Sequence, residues 1–193
     1  MSPTQRRWLT ILTVSTLVIW GVMLWMHEDL RTKGAPLGVV SLELAGNIQT
    51  ARRIVMHEWT FRHRIIAAFG LGLDFLSIAS YATWLYLGCR WSAERWLPFN
   101  ESRARQIQLV AWLAVAAGGF DIVENIVLFD FIHSDGKSPA YPIAFWSAIL
   151  KFVLLGIVLT AYGSGLLARA KSTTSAEKKP VPVPVPVPIK KQG

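Results

Sequence analysis

The chain holds a single cysteine, Cys89, and charged residues make up only 17% of its 193 positions. One cysteine excludes an internal disulfide framework and any zinc site built from cysteines, and it leaves the redox compartment unmarked. The shortage of charge, set beside 52% hydrophobic residues and nine tryptophans, excludes an ordinary soluble domain of this size. Two catalytic signatures are also missing. His57-Glu58 is not followed by a histidine at H-E-x-x-H spacing, and no G-x-S-x-G nucleophile motif occurs. The net charge of +8 is spread through loops and tail rather than gathered in one patch, so nucleic acid is not an expected partner. The sequence names no cofactor.

What is present is four long apolar runs, at 8–26, 65–87, 107–131 and 142–167. A hydrocarbon core of about 30 Å is crossed by about 20 mostly apolar residues in a helix. The pattern therefore predicts an all-α polytopic membrane protein, a four-transmembrane-helix bundle over 1–168 with the lipid bilayer as its partner. The first run follows Arg6 and Arg7, exceeds the usual signal-peptide core, and ends at Trp25-Met26-His27 without small residues for cleavage, so it reads as an uncleaved anchor. Tryptophans Trp8, Trp25, Trp84, Trp91, Trp112 and Trp146 fall near the ends of the runs, as interfacial anchors do.

Loop charge sets an expected topology. Arg6, Arg7, Arg90, Arg95, Arg103, Arg105 and the six basic residues from Arg169 to Lys191 fall on one side. Arg31, Lys33, Arg52, Arg53, Arg62, Arg64 and Lys137 fall on the other. The richer side faces the cytoplasm, which puts both termini there in a multi-pass protein of the cell membrane.

Within the first connection, Leu44, Ile48, Ala51, Val55 and Trp59 recur at three- and four-residue steps, and Glu43, Arg52, Arg53 and Glu58 take polar positions. This spacing predicts an amphipathic helix over 41–60, N-capped by Ser41 and packed against the mouth of the bundle. From 169 to 193 the composition turns basic and then strictly alternates proline and valine through 180–188. Such a tract favours an extended polyproline II spacer of about 28 Å. It holds no P-x-x-P, so the tail is expected to be disordered and solvated, with anionic lipid as its contact.

Charges inside the apolar runs are the informative exceptions. Asp74, Asp121, Glu124 and Lys151 lie well within them, beside Asn125. A charged side chain at bilayer depth costs about 2.5–3.5 kcal/mol on insertion scales, so these residues should face the bundle interior and find partners. Counting along alternating helix directions puts Asp74, Asp121 and Lys151 about 14 Å below the same surface at 1.5 Å per residue. Asp121, Glu124 and Asn125 share one helix face, and Asp74, Ser77 and Tyr81 share another. Together these seven residues outline a polar pocket opening toward the first and third connections. The histidines His27, His57, His63 and His133 are expected outside the helices on that side, and His57, His63 and His133 are the only metal-ligand candidates.

Ionised, Asp74, Asp121, Glu124 and Lys151 carry a net charge of minus two. In low dielectric that excess calls for a proton on a carboxyl, a loop arginine, or a bound cation.

The segments Leu71-Gly72-Leu73-Asp74-Phe75-Leu76, Phe120-Asp121-Ile122-Val123-Glu124-Asn125 and Leu150-Lys151-Phe152 resemble, in order and spacing, a family of uncharacterised bacterial four-helix integral membrane proteins. That family carries L-D-F in helix two, D-x-x-E-N in helix three and K-F in helix four. The resemblance covers about residues 41–168 and implies an α-helical membrane protein. It implies no activity.

Three functions compete on this sequence. One is a module that binds or transports a cation, a proton or a small polar ligand, for which a homo-oligomer is expected because four helices are few for a transporter. A second is a structural or assembly protein whose charges fix helix packing. The third, an intramembrane metal-dependent hydrolase, lacks its motifs, and the absence of an inverted repeat weighs against alternating access by the usual architecture.

Overall fold

A computed structural model gives the fold of residues 3–177. The chain runs as α1 (Pro3–Glu28), α2 (Val39–Glu43), α3 (Ile48–Arg53), a single π-helical turn (Ile54–Glu58), α4 (Phe61–Trp96), α5 (Glu101–His133) and α6 (Tyr141–Glu177). Among the described residues, four of these helices are long and apolar enough to cross a membrane. They pack as a bundle, with α4, α5 and α6 mutually in contact and α1 laid against α4. Residues 178–193, with the Pro-Val tract, lie outside the described residues. Helix α6 continues past residue 169, where the tail was expected to begin, as far as Glu177.

Local chemistry sets the helix ends. Thr60 caps α4 by accepting the His63 amide, and the His63 ring returns the bond from the Thr60 amide at 3.1 Å. Asn100 caps α5 by accepting the Arg103 amide at 2.9 Å. The α5–α6 turn needs left-handed backbone at Asp135 (φ 53°) and Gly136 (φ 70°), which lets the Gly136 amide reach the Phe131 carbonyl at 2.8 Å.

The first connection differs from its expected form. Instead of one helix over 41–60 it makes α2, α3 and the π turn, broken near Gly46 (φ 78°). The α3 cap is Asn47, and the Ser41 hydroxyl lies inside α2, where it accepts the Leu37 amide at 2.8 Å. The break shifts the helical phase, so Leu44 is 39% exposed while Leu42 is fully buried. The segment does pack on the mouth of the bundle. Leu30, Leu42, Ile54, Val55 and Trp59 join Leu128, Phe131 and Tyr141 in one buried cluster. Polar clamps hold it there: Tyr141 donates to the Leu42 carbonyl at 2.7 Å, Trp59 to the Leu30 carbonyl at 3.1 Å and Arg52 to the Gly136 carbonyl at 2.8 Å.

A second buried cluster fills the other half of the bundle, where α4 meets α6 through small residues. A side chain at Gly165 would come within 2.9 Å of the Ser92 backbone, so only glycine permits this approach. Close contact lets Ser92 donate to the Ala161 carbonyl at 3.0 Å and Trp96 to the Ser164 carbonyl at 3.0 Å.

Candidate functional site

The polar residues of α4, α5 and α6 meet between the two apolar clusters. Lys151 of α6 is the centre. Its Nζ lies 3.0 Å from Asp121 Oδ1, 2.7 Å from Glu124 Oε2 and 3.6 Å from Glu43 Oε2. Asp121 is doubly held, because Tyr81 of α4 donates to its Oδ2 at 2.7 Å. Asn125, one turn further along α5, donates to Asp74 Oδ2 of α4 at 2.8 Å. Ser77 accepts the Trp20 indole N–H of α1 at 3.0 Å, while the nearby Ser80 bonds Thr16 at 2.7 Å.

The sequence candidates thus fall into three linked groups: Lys151 with Asp121, Glu124 and Tyr81, then Asp74 with Asn125, then Ser77 as a pin between α1 and α4. Helical spacing carries this arrangement, since Asp121, Glu124 and Asn125 emerge from one face of α5 and Asp74, Ser77 and Tyr81 from one face of α4.

Sequence reasoning missed Glu43. In the expected amphipathic helix it takes a polar position, yet it is 8% exposed and reaches Lys151. The signal for it, a carboxylate next to a residue as apolar as Leu42, is too common to pick out. Adding Glu43 makes four carboxyls against one ammonium, so the formal excess grows from two negative charges to three. Donors are also short. Glu124 is fully buried, its contact with Lys151 is misaligned for a hydrogen bond, and its Oε1 has no hydrogen-bond partner among the described residues. A buried carboxylate oxygen left unpaired costs about 1–3 kcal/mol or more.

Beside the cluster lies a cavity of about 340 Å³ walled by α1, α2, α4, α5 and α6, whose polar lining includes His27, Glu43, Asp74, Asp121 and Lys151. Glu124 and Asn125 stand behind this lining.

The histidines are within helical segments rather than outside them, since His27 belongs to α1, His57 to the π turn, His63 to α4 and His133 to α5. They do not converge. His57 is exposed, the His63 ring caps α4, and His133 lines a separate hollow with Arg64 and Asp135. No group of three or more His, Cys, Asp or Glu side chains placed to hold a metal occurs among the described residues.

The fold and cluster define a multi-span α-helical membrane protein with a buried charge centre on Lys151. No family model, curated protein or solved structure matches the chain. The four-span fold implied by the sequence resemblance is present; the family is not identified.

Proposed function

We propose that this protein binds a small organic cation of the ammonium class in the cavity beside Lys151. One observation carries the reading: a cavity of about 340 Å³, within the size range of small-ligand sites, is lined by three carboxyls and a single lysine ammonium. Asp74 is the lead contact. It is half-buried, makes no ion pair among the described residues, and is oriented by Asn125. Glu43 and Asp121 add negative potential while already neutralised in part by Lys151. A bound ammonium supplies both the charge and the N–H donors that the cluster lacks.

A second reading rests on the reach of Lys151, which joins α6 to α5 and to α2. On that reading the centre fixes helix register and takes no ligand. Binding of radiolabelled methylammonium to the purified full chain separates the two. Saturable binding that weakens at least tenfold in Asp74→Asn, with an unchanged thermal transition, supports a site. Absence of saturable binding overturns it.

A further inference from the structure

The geometry points to a ligand that is an amphiphile, a single-chain alkylammonium entering sideways from the bilayer between α1 and α6. This deepens the proposed cation site and rests on it.

The cavity changes character along its walls. Charged groups stand on α2, α4, α5 and the near end of α6, whereas Met23 and Leu24 of α1 and Phe152 and Leu155 of α6 supply apolar sides. Trp20, Met23, Leu24 and His27 recur at i, i+3, i+4 and i+7, so α1 turns one continuous face to the space. A small hydrated cation has no use for such walls. An alkyl chain does.

The route follows from packing. Helix α1 lies on α4, and only 6% of its most apolar stretch is buried, against 28–39% in the other three spanning helices. Leu24 is 67% exposed and Phe152 43% exposed, so the cavity edge between α1 and α6 faces the surroundings of the bundle, which for spanning helices is lipid. Toward the first connection, Leu30, Leu42, Phe131 and Tyr141, each at most 1% exposed, are packed in the buried apolar cluster. The proposed side entrance differs from the sequence-based expectation of a pocket opening toward the first and third connections.

Charge selects the head group. The excess of carboxyls over Lys151 favours a cation and disfavours a phosphate or sulfate. An incoming ammonium beside Asp74, Glu43 and Asp121 frees Lys151 to align on Glu124, whose Oε1 lacks a partner.

The test uses the full chain in discs of zwitterionic lipid and a dodecylammonium probe bearing a diazirine in its chain. After photolysis, peptide mapping is expected to place adducts on the Trp20–His27 and Lys151–Leu155 segments. Unlabelled dodecylammonium should reduce labelling at least fivefold, and dodecanol and dodecyl sulfate should not. Leu24→Trp and Leu155→Trp, which add bulk on opposite apolar walls of the cavity, should each cut labelling at least fivefold. Leu24 is exposed enough for its variant to fold if the other does not. Uniform labelling of lipid-facing surfaces, or equal competition by dodecanol, overturns the inference. So does methylammonium binding that dodecylammonium fails to displace, which leaves the cation site standing. Loss of both ligands' binding in the native chain overturns the underlying reading as well.

Discussion

Lys151 of α6 and Glu43 of α2 stand 3.6 Å apart with side chains 7% and 10% exposed, so a five-residue helix in the first connection is tied to a cation at the centre of the bundle. The connection is therefore part of the charge centre. Removing Lys151 strips the counter-charge from three carboxyls at once, and breaking a buried pair in this way costs about 3–5 kcal/mol. Lys151→Met should therefore lower the unfolding midpoint in detergent more than any single carboxyl neutralisation. Glu43→Gln should cost less, because the longest of the three contacts is lost and the negative excess falls. Lys151→Met combined with Asp121→Asn should recover part of the loss. A Lys151→Met protein as stable as the native chain would contradict this picture.

Tyr81 offers a cleaner probe of the same centre. Its hydroxyl donates to Asp121 Oδ2 at 2.7 Å, and Tyr81→Phe removes the bond while keeping the ring. A hydrogen bond to a charged group contributes about 1.5–3 kcal/mol, so the variant should unfold at correspondingly lower denaturant. Ser77→Ala, which loses a bond between neutral groups, should cost about 1 kcal/mol. Equal effects would mean that Asp121 is not the anchored carboxylate described here.

Close packing of α4 on α6 makes a steric prediction. Gly165→Ala puts a methyl against the Ser92 backbone, and overpacking of this kind costs about 1–3 kcal/mol. Gly119, which has nothing within 4 Å of an added Cβ, is the control. Thermal unfolding of Gly119→Ala should match the native chain, while Gly165→Ala should unfold earlier.

Acid should loosen the first connection at one identifiable contact. The Gly34 amide donates to Glu58 Oε2 at 3.1 Å, and this bond, with help from Thr32 and then Arg53 and His57, holds the Glu58 carboxyl below its ordinary range. A lowered folded-state value means that the contribution is complete above the ordinary carboxylate range and is lost as pH falls through the folded-state value. Exchange of the Gly34 amide hydrogen, corrected for intrinsic rate, should accelerate with falling pH in that window, and Glu58→Gln should remove the dependence. A pH-independent native profile would count against the contact.

Much of this fold was legible because bilayer crossing imposes long apolar runs, and a charge inside such a run stands out. Asp74, Asp121, Glu124 and Lys151 stand out that way, with Asn125 beside them, and a shared depth for Asp74, Asp121 and Lys151 follows from alternating helix directions. Glu43 was not, because in a short amphipathic segment a glutamate is the expected residue and nothing local distinguishes a solvated one from one bonded to Lys151. The break at Gly46 was equally hidden: a periodic stripe from Leu44 to Trp59 looks continuous until the left-handed turn resets its phase. The side cavity depends on how far α1 stands from α6, a tertiary distance that hydropathy does not encode.

On the orientation we propose from loop charge both termini face the cytoplasm, and labelling tests this directly. Lys33→Cys and Lys137→Cys should react with a membrane-impermeant maleimide in intact cells, and Glu101→Cys only after permeabilisation. Cys89 is fully buried and should stay silent. The opposite pattern would invert the topology.

On the reading proposed above, the excess of carboxyls around Lys151 serves a cationic ligand. Calorimetric titration of methylammonium into the purified full chain, beside Asp74→Asn at matched thermal stability, tests it most directly. One saturable site in the native chain, weakened at least tenfold in Asp74→Asn, is the predicted result. No saturable heat in the native chain, or identical isotherms for the two proteins, would contradict it.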